Sequence, residues 1–133
     1  MKALTARITR PLQLKSRLVC ADNSGAKELE LIAVKSYKGR LRRLPKAGIG
    51  NVVICSVKKG KEDMRGKVVY AVIVRQKKEY RRHDGMRVRF ADNAAVIVNP
   101  KTFEPQGTEI RTVIAKEVIE RFSQIGKIAS IVM

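Results

Sequence analysis

The sequence predicts a mainly β domain, a small barrel or sandwich, followed by a short helical segment. Short runs rich in β-branched or alternating apolar residues recur up to about residue 98, separated by Gly, Asn and Asp. A barrel is favoured over an open sheet because closure leaves no strand edge unpaired. With 133 residues, of which 44% are hydrophobic, the chain can form a single domain with one core.

Six segments carry the strand pattern. They are RLVCA (17–21), ELELIAVK (28–35), NVVICSV (51–57), KVVYAVIVR (67–75), MRVRFA (86–91) and AAVIV (94–98). The run VVYAVIV has no polar break, which is typical of a strand covered on both faces. The connections 35–50 and 58–66 contain Gly and many cations. The first is long for a compact domain, and loops of that length are commonly functional or disordered.

Beyond Asn99 the pattern becomes helical. Within TVIAKEVIERFSQIG, four apolar residues recur at helical spacing and would share one face: Ile114, Val118, Phe122 and Ile125. Glu117 and Arg121 are spaced for an i,i+4 ion pair, and Gly126 is a plausible end of the helix. The segment 104–133 either folds back onto the core or forms part of a protein-docking surface, since the tail KIASIVM adds further apolar side chains.

Net charge is the most unusual property of the sequence. There are 29 Lys and Arg against 12 Asp and Glu, a formal charge of +17 at pH 7. Residues 1–89 hold 24 of these cations and 7 of the acids, whereas residues 90–133 hold five of each. Self-repulsion of that size opposes folding in isolation, so we expect a polyanionic partner for the basic part and a different partner for the neutral part.

The stretch QKKEYRRHDGMRVRFADN is predicted to form a basic β-hairpin. Asp84-Gly85 fits a two-residue type I′ turn, which would place Arg82 opposite Arg87. Like charges directly opposite destabilise a sheet, so an anion is expected between them, and phosphate suits the guanidinium group. One face would then lie along an RNA backbone: Lys78, Tyr80, Arg82, Arg87 and Arg89. The alternative is a solvated hairpin whose cations only protect a sheet edge.

Two further segments are predicted to contact phosphates. The loop KSYKGRLRRLPK has six cations and no acid: Lys35, Lys38, Arg40, Arg42, Arg43 and Lys46. The segment VKKGK adds Lys58, Lys59 and Lys61. Leu41 and Leu44 are expected to anchor the first loop on an apolar surface. A nuclear-targeting tract would resemble this loop, but it would not need three basic clusters inside a strand framework.

The composition also indicates which kind of nucleic acid is bound. Tyr37 and Tyr80 are the only aromatic residues in basic surroundings, so base stacking is secondary. The only predicted helix lies in the neutral segment, which argues against reading of a major groove. These features favour a protein that recognises the shape of folded RNA through its phosphates.

No catalytic or cofactor motif is recognised. His83, the one histidine, lies on a turn among arginines, and no nucleophile elbow, P-loop or Rossmann fingerprint is present. Asp22 and Asp92, in two ADN repeats, could bind a metal ion as in nucleases or simply cap turns. Cys20 and Cys55 lie singly in apolar stretches, which favours buried reduced thiols over a zinc site.

Cellular location follows from the same patterns. The N-terminus lacks the apolar region of a signal peptide, and the longest aliphatic run is far too short to span a bilayer. We therefore expect a soluble cytoplasmic protein with no cofactor, no membrane partner and no small-molecule substrate.

Four long motifs carry a specific resemblance: VCADNSGAKELELIAV, KGRLRRLPKAGIGNVVICSVKKGK, VVYAVIVRQKKEYRRHDGMRVRFADNAAVIV and AKEVIERF. They are similar to the universal ribosomal large-subunit protein L-fourteen family in its archaeal and eukaryotic form, from about Leu18 to Met133. The resemblance implies a five-stranded β-barrel with a protruding basic β-hairpin and short C-terminal helices. We expect one domain, with 1–17 as an N-terminal extension, 18–98 as barrel and hairpin, and 99–133 as loop and helical segment.

The resemblance also implies function and partners. It implies a structural constituent of the large ribosomal subunit that binds large-subunit rRNA and contributes to an intersubunit bridge with small-subunit rRNA. Expected protein neighbours are universal protein L-three and the L-twenty-four-type protein, with initiation factor six docking nearby. Family positions that match basic residues here are Lys38, Arg40, Arg43, Arg75, Lys77, Lys78, Arg81, Arg82 and Arg89.

Two departures from the family pattern concern the ends of the chain. Residues 1–17 extend beyond the compact bacterial form, and Arg111-Thr112 replaces the usual Gly-Pro pair before the C-terminal helix. The leading expectation is a non-catalytic ribosomal protein. The alternatives are a free-standing OB-like nucleic-acid binder or translation factor, and a metal-dependent nuclease.

Overall fold

A computed structural model describes all 133 residues of the chain. Its elements, in order, are β1 (Leu12–Gln13), β2 (Arg17–Cys20), β3 (Ala26–Val34), β4 (Lys46–Ala47), β5 (Val52–Gly60), β6 (Val68–Arg75), β7 (Tyr80–Arg81), β8 (Arg87–Val88), β9 (Ala94–Val98), β10 (Ile110–Ile114), α1 (Lys116–Arg121), α2 (Ser123–Ile128) and β11 (Ala129–Val132). Five strands form a closed barrel, and the other six form three two-stranded sheets. The prediction of a mainly β fold built on a small five-stranded barrel is confirmed.

The barrel closes through a single parallel pair of strands. In the order β2–β3–β5–β6–β9, neighbours are antiparallel until β9 meets β2 in parallel. In this last pair Val19 lies opposite Ala94, and Cys20 lies opposite Ala95. Closure leaves the barrel without a free edge, which is the property that favoured a barrel from the sequence.

Five of the six predicted strand segments are the barrel strands. β9 coincides with the predicted 94–98, and the others differ from the prediction by up to three residues at an end. The sixth predicted strand, 86–91, is confirmed as part of the hairpin but is shorter than predicted, because only Arg87–Val88 forms a strand and it pairs with β7. Beyond that pair Phe90 turns inward, where it is buried and its N–H donates to the Gln76 carbonyl at 3.1 Å.

The core fills the barrel and continues under the C-terminal segment. Ala71, Val72, Ile73 and Val74 of β6 are all fully buried, as the unbroken apolar run predicts for a strand covered on both faces. The four residues predicted to share an apolar helical face all belong to this core: Ile114, Val118, Phe122 and Ile125. The C-terminal segment therefore folds back on the barrel through these side chains.

The short C-terminal helices implied by the resemblance are confirmed, but the single helical pattern seen over TVIAKEVIERFSQIG is wrong in its extent. Ile110–Ile114 is a strand, and two helices of six residues follow, separated by Phe122 at φ −125° and ψ 81°. Three β-branched residues at 112–114 favour the strand, which pairs in parallel with β11. Gly126 does not end a helix but lies within α2, where an added Cβ would come 2.6 Å from Ile119 Cγ2. Neither helix has the length and apolar character needed to cross a bilayer.

The N-terminal segment, residues 1–13, runs across the barrel and is held by polar contacts. The fully buried Gln76 donates through Nε2 to the carbonyl of Thr9 at 3.3 Å. Arg121 of α1 donates to the carbonyl of Lys2 at 2.8 Å. These contacts connect the N-terminal segment with the barrel and the C-terminal segment.

Substitution of Gly48 is expected to loosen this N-terminal segment. An added Cβ would lie 2.5 Å from the Thr9 carbonyl oxygen and 3.1 Å from Gln76 Oε1, and the first of these is backbone that has to shift. We expect Gly48→Ala to lower the free energy of unfolding by about 1–3 kcal/mol, measured by chemical denaturation. Gly39→Ala is the control, since its Cβ would meet nothing closer than the Tyr37 ring at 3.7 Å. Equal stability of the two variants would contradict the packing described.

Candidate nucleic-acid interface

Three segments that carry cations meet at one end of the barrel. The strand register shows that β3 and β6 end where β5 and β9 begin, so loop 35–50 and the hairpin segment 76–93 leave the barrel together. Because β2 runs parallel to β9, the N-terminal segment also enters there. We call this the basic end.

The third predicted basic segment lies at the opposite end of the barrel. Lys58 and Lys59, near the end of β5, form ion pairs with Glu30 at 3.5 Å and Glu28 at 3.0 Å. These pairs leave only Lys61 of that cluster without a carboxylate partner. The segment VKKGK is therefore separate from the basic end, and its contact with phosphate stays a prediction.

Loop 35–50 presents a dense group of exposed cations at the basic end: Lys38, Arg40, Arg42, Arg43 and Lys46. Its turn is closed by a hydrogen bond from the N–H of Arg43 to the carbonyl of Arg40 at 3.0 Å. Leu41 and Leu44 are 87% and 65% exposed. They do not anchor the loop on this chain, which leaves their side chains free for a partner.

The hairpin register differs by one residue from the predicted one. Arg81, not Arg82, lies opposite Arg87, and Tyr80 lies opposite Val88. A slip of one residue exchanges the two faces of a strand, so burial of the Tyr80–Val88 pair decides the register. The predicted cationic face is therefore wrong for Tyr80 and Arg82, which lie on the inner side.

The conformation of the hairpin turn explains why the predicted register is wrong. A type I′ turn requires positive φ at both central residues, but here only Gly85 has it, at 84°. The N–H of Arg82 donates to the Met86 carbonyl at 2.9 Å, which makes a three-residue loop. Asp84 Oδ1 accepts a hydrogen bond from the N–H of Met86 at 3.0 Å and stabilises this alternative turn.

Arg82 holds the hairpin on helix α1. Its Nε donates to Glu117 Oε1 at 2.7 Å, and the Tyr80 hydroxyl donates to Glu117 Oε2 at 2.7 Å. Glu117 is fully buried. Burial by itself would raise the pKa of the Glu117 carboxyl, but the hydrogen bonds from Arg82 and Tyr80 outweigh it and hold the pKa below its ordinary value. The predicted pair between Glu117 and Arg121 is therefore wrong.

The two aspartates of the possible metal site are engaged elsewhere. Arg75 donates to both carboxylate oxygens of Asp92, at 2.7 and 2.9 Å. Asp22 accepts from the Ser24 hydroxyl at 2.6 Å and from the N–H of Ile97 at 3.0 Å. Asp22 thus caps a turn, and no group of three or more His, Cys, Asp or Glu side chains is arranged to hold a metal ion.

The predicted RNA-binding residues fall into two groups, apart from Lys61, which is exposed at the opposite end of the barrel. Ten are exposed at the basic end: Lys38, Arg40, Arg42, Arg43, Lys46, Lys77, Lys78, Arg81, Arg87 and Arg89. Six others make polar contacts within the chain, as Arg87 of the first group also does with Glu79: Lys35, Lys58, Lys59, Arg75, Tyr80 and Arg82. Lys35, for example, donates to the Pro100 carbonyl at 3.2 Å and lies 4.4 Å from the ring centroid of Phe103.

One cation of the basic end was not selected from the sequence. Arg7 forms an isolated antiparallel bridge with Arg81 of the hairpin. Thr5, Arg7 and Thr9 are exposed, while Ala6 and Ile8 between them are partly buried. This alternation is a strand signal in TARITR that could have located Arg7 beside another strand.

The two cysteines are free thiols, and Cys55 is fully buried. Burial raises the pKa of Cys55 to about 12. Burial, followed by the charge of Asp22, raises the pKa of Cys20 to about 12 as well. Both side chains are thus protonated thiols of low reactivity near neutral pH.

Comparison with known proteins decides the family. The family described as ribosomal protein L14p/L23e matches residues 11–133. The chain belongs to this family. It is similar to large ribosomal subunit protein uL14 of Methanococcus vannielii (54% identical) and of Methanococcus maripaludis (55%), with 99% of each chain covered. Its similarity to uL14 of Thermoplasma volcanium is 52% over the full length of both chains.

Membership of the L14 family confirms several expectations. The resemblance drawn from the four motifs is confirmed, and it extends upstream of Leu18. The family consists of ribosomal proteins, so the chain is not an enzyme. Its archaeal relatives belong to the ribosome, which is cytoplasmic in archaea, and this agrees with the predicted cytoplasmic location.

Removal of the Glu117 charge is expected to destabilise the chain in a pH-dependent way. Breaking a buried ion pair costs about 3–5 kcal/mol, so Glu117→Gln should lower the free energy of unfolding by about that amount at pH 7. Because the folded-state pKa is lowered, the stabilisation is present above the pKa of the unfolded chain, about 4.3, and is lost as pH falls through the folded value.

The measurement is urea denaturation of both proteins at several pH values between 7 and 3. The stability gap between wild type and Glu117→Gln should narrow below about pH 4. Glu62→Gln is the control, since this substitution removes the same charge from an exposed side chain. If the difference in unfolding free energy stayed constant with pH, the Glu117 carboxylate charge would not be what stabilises the contact between the hairpin and α1.

Proposed function

We propose that the chain, which its family makes a structural constituent of the large ribosomal subunit, binds large-subunit rRNA through the basic end of its barrel. The observation that carries the proposal is the meeting of loop 35–50 and the hairpin segment at one end, in a ribosomal protein. Together these two segments expose ten Lys and Arg residues of the predicted set. Cations clustered on segments that leave one end of a closed barrel are suited to an RNA backbone whose shape is already fixed.

The contacts are electrostatic rather than stacking contacts. Tyr80 is buried, and the Tyr37 hydroxyl donates to the Leu44 carbonyl at 3.2 Å, so no aromatic pair forms a platform for bases. Arginine predominates among the exposed cations of the loop and offers the planar donor set that matches phosphate. Engaging even 6–10 phosphates makes affinity for isolated RNA fall roughly 10³–10⁵-fold between 50 and 200 mM salt.

We also propose that part of this surface contributes to an intersubunit bridge with small-subunit rRNA. The family resemblance is one support. The other is that the basic end carries two separate cationic elements, loop 35–50 and the hairpin, which can engage two RNA segments.

The neutral C-terminal segment is proposed to meet proteins rather than RNA. Its last three residues, Ile131, Val132 and Met133, are about half exposed, at 52%, 48% and 56%. Residues 90–133 carry no net charge, so they offer phosphates little attraction. By resemblance, the neighbours proposed here are universal protein L-three, the L-twenty-four-type protein and initiation factor six.

A closed five-stranded barrel with basic loops also suits a free-standing nucleic-acid binder, so tight retention in the subunit is the property that distinguishes a structural constituent. A high-salt wash of ribosomal subunits separates the two. A structural constituent is expected to remain in the large-subunit peak of a sucrose gradient, whereas a factor is released. Release of most of the chain would contradict the tight rRNA contact proposed here.

Loop 35–50 is expected to set the salt dependence of RNA binding. Arg40→Gln combined with Arg43→Gln should reduce the slope of log affinity against log salt by about two, since each arginine engages about one phosphate. Binding to a transcript of archaeal large-subunit rRNA is measured by filter retention across salt concentrations.

The matched control for that experiment lies at the opposite end of the barrel. Lys58→Gln with Lys59→Gln removes the same charge, but both lysines are paired with glutamates. We expect this control to change the slope by less than about one. Equal slopes for the two double variants would mean that the basic end has no special role.

A further inference from the structure

Three arginines, one from the N-terminal segment and two from the hairpin, lie side by side at the basic end; we call this row of Arg7, Arg81 and Arg87 the rung. The hairpin pairs Arg81 with Arg87, and the bridge from the N-terminal segment pairs Arg7 with Arg81 on the other side. Residues directly opposite on adjacent strands point to the same face, with Cβ atoms about 4.5–5.5 Å apart. The rung therefore presents three neighbouring guanidinium groups toward one face.

The charge of this rung is not balanced within the chain. Arg87 has a carboxylate partner, Glu79 Oε1, at 3.0 Å, whereas Arg7 and Arg81 have none within the 4 Å of an ion pair. One carboxylate against three guanidinium groups leaves an excess of two positive charges. Like charges directly opposite destabilise a sheet, so the rung is held by other contacts.

Those other contacts hold the backbone of the rung in place. Tyr80 and Val88 anchor the inner side of the hairpin by burial. The Thr9 hydroxyl donates to the Glu79 carbonyl at 2.8 Å, and Gln76 Nε2 donates to the Thr9 carbonyl at 3.3 Å. The backbone of the rung is thus positioned before any ligand arrives, which lowers the entropy lost on binding.

A polar cavity of about 490 Å³ opens over the rung. Its lining includes Arg7, Thr9, Glu79, Arg81, His83 and Arg87. Tyr80 is the only hydrophobic residue that borders it, so an apolar ligand gains little there. The chemistry that fits is a compact anion with several oxygen acceptors.

We propose that Arg7, Arg81 and Arg87 form a cradle for one phosphate group of the RNA backbone, gripped jointly by the N-terminal segment and the hairpin. A phosphodiester accepts the parallel N–H bonds that guanidinium groups donate and offsets part of the excess charge. The inference rests on the proposed function, since it names a phosphate site within the RNA-binding surface. It assigns a binding role to the N-terminal segment, which lay outside the predicted site.

The test is a double-mutant cycle on RNA affinity with the full chain. Arg7→Gln and Arg81→Gln should each weaken binding of the archaeal large-subunit rRNA transcript about tenfold, the loss typical of a hydrogen bond to a charged group. If both arginines hold one phosphate, the double variant loses no more than about twofold beyond the weaker single variant. Independent contacts would multiply to about a hundredfold loss and overturn the shared cradle.

Arg10→Gln is the matched control, since Arg10 is exposed in the same segment but does not border the cavity. We expect its affinity to stay within about threefold of wild type. A loss equal to that of Arg7→Gln would mean that only net charge counts. If wild type fails to bind the transcript at all, the proposed function fails; if wild type binds and the two arginine variants match the control, only the cradle fails.

Two further measurements test which phosphate occupies the cradle and whether the like charges of the rung destabilise the folded chain. Inorganic phosphate, substituted for chloride at equal ionic strength, should leave RNA affinity within about twofold; displacement of the transcript would assign the cradle to a free phosphate anion. Without RNA, Arg81→Gln should unfold at a temperature no lower than wild type, because it removes a like charge from the rung. A lower temperature would overturn the electrostatic argument.

Discussion

The parallel pairing of β2 with β9 is the constraint on which the remaining structure depends. Once Val19 and Cys20 pair with Ala94 and Ala95, every barrel strand has two neighbours and the sheet has no edge. The connecting segments then have to leave at the two ends of the barrel. Strand direction alone brings loop 35–50, the hairpin and the N-terminal segment to the same end, although they are separated by tens of residues in the chain.

Burial divides the arginines of this protein into two kinds. Arg75 and Arg82 are almost fully buried and each has a carboxylate partner, Asp92 or Glu117, because an unpaired charge in the interior is costly. Arg40 and Arg81 are exposed and have no such partner, so their charge is directed to the surroundings. The same residue type thus stabilises the fold in one place and supplies the field for a polyanion in another.

The neutral C-terminal segment supports the basic end through its contacts with the hairpin. It supplies Glu117, which fixes the inner side of the hairpin. It also supplies the apolar residues through which α1 and α2 pack on the barrel core. The net charge of zero in residues 90–133 therefore does not make this segment independent of the RNA-binding end. It provides the counter-charge that a highly cationic hairpin needs to keep one conformation.

The sequence by itself determined the fold class, the barrel strands and the family. β-Branched runs such as VVYAVIV specify strands locally, and the family motifs span most of the chain. It also located the dense cationic loop, because Lys38 to Lys46 are close in sequence and need no tertiary contact to be recognised as a cluster.

Only the tertiary structure decided which cations are available and how the hairpin is registered. Asp84-Gly85 is compatible with a two-residue or a three-residue loop, and burial of Tyr80 against the core selected the second. That one-residue difference moved Arg82 inward to Glu117 and set Arg81 beside Arg87 and Arg7. The partners involved lie 35 and 74 residues away in the chain, and contacts at such separation depend on packing rather than on local sequence pattern.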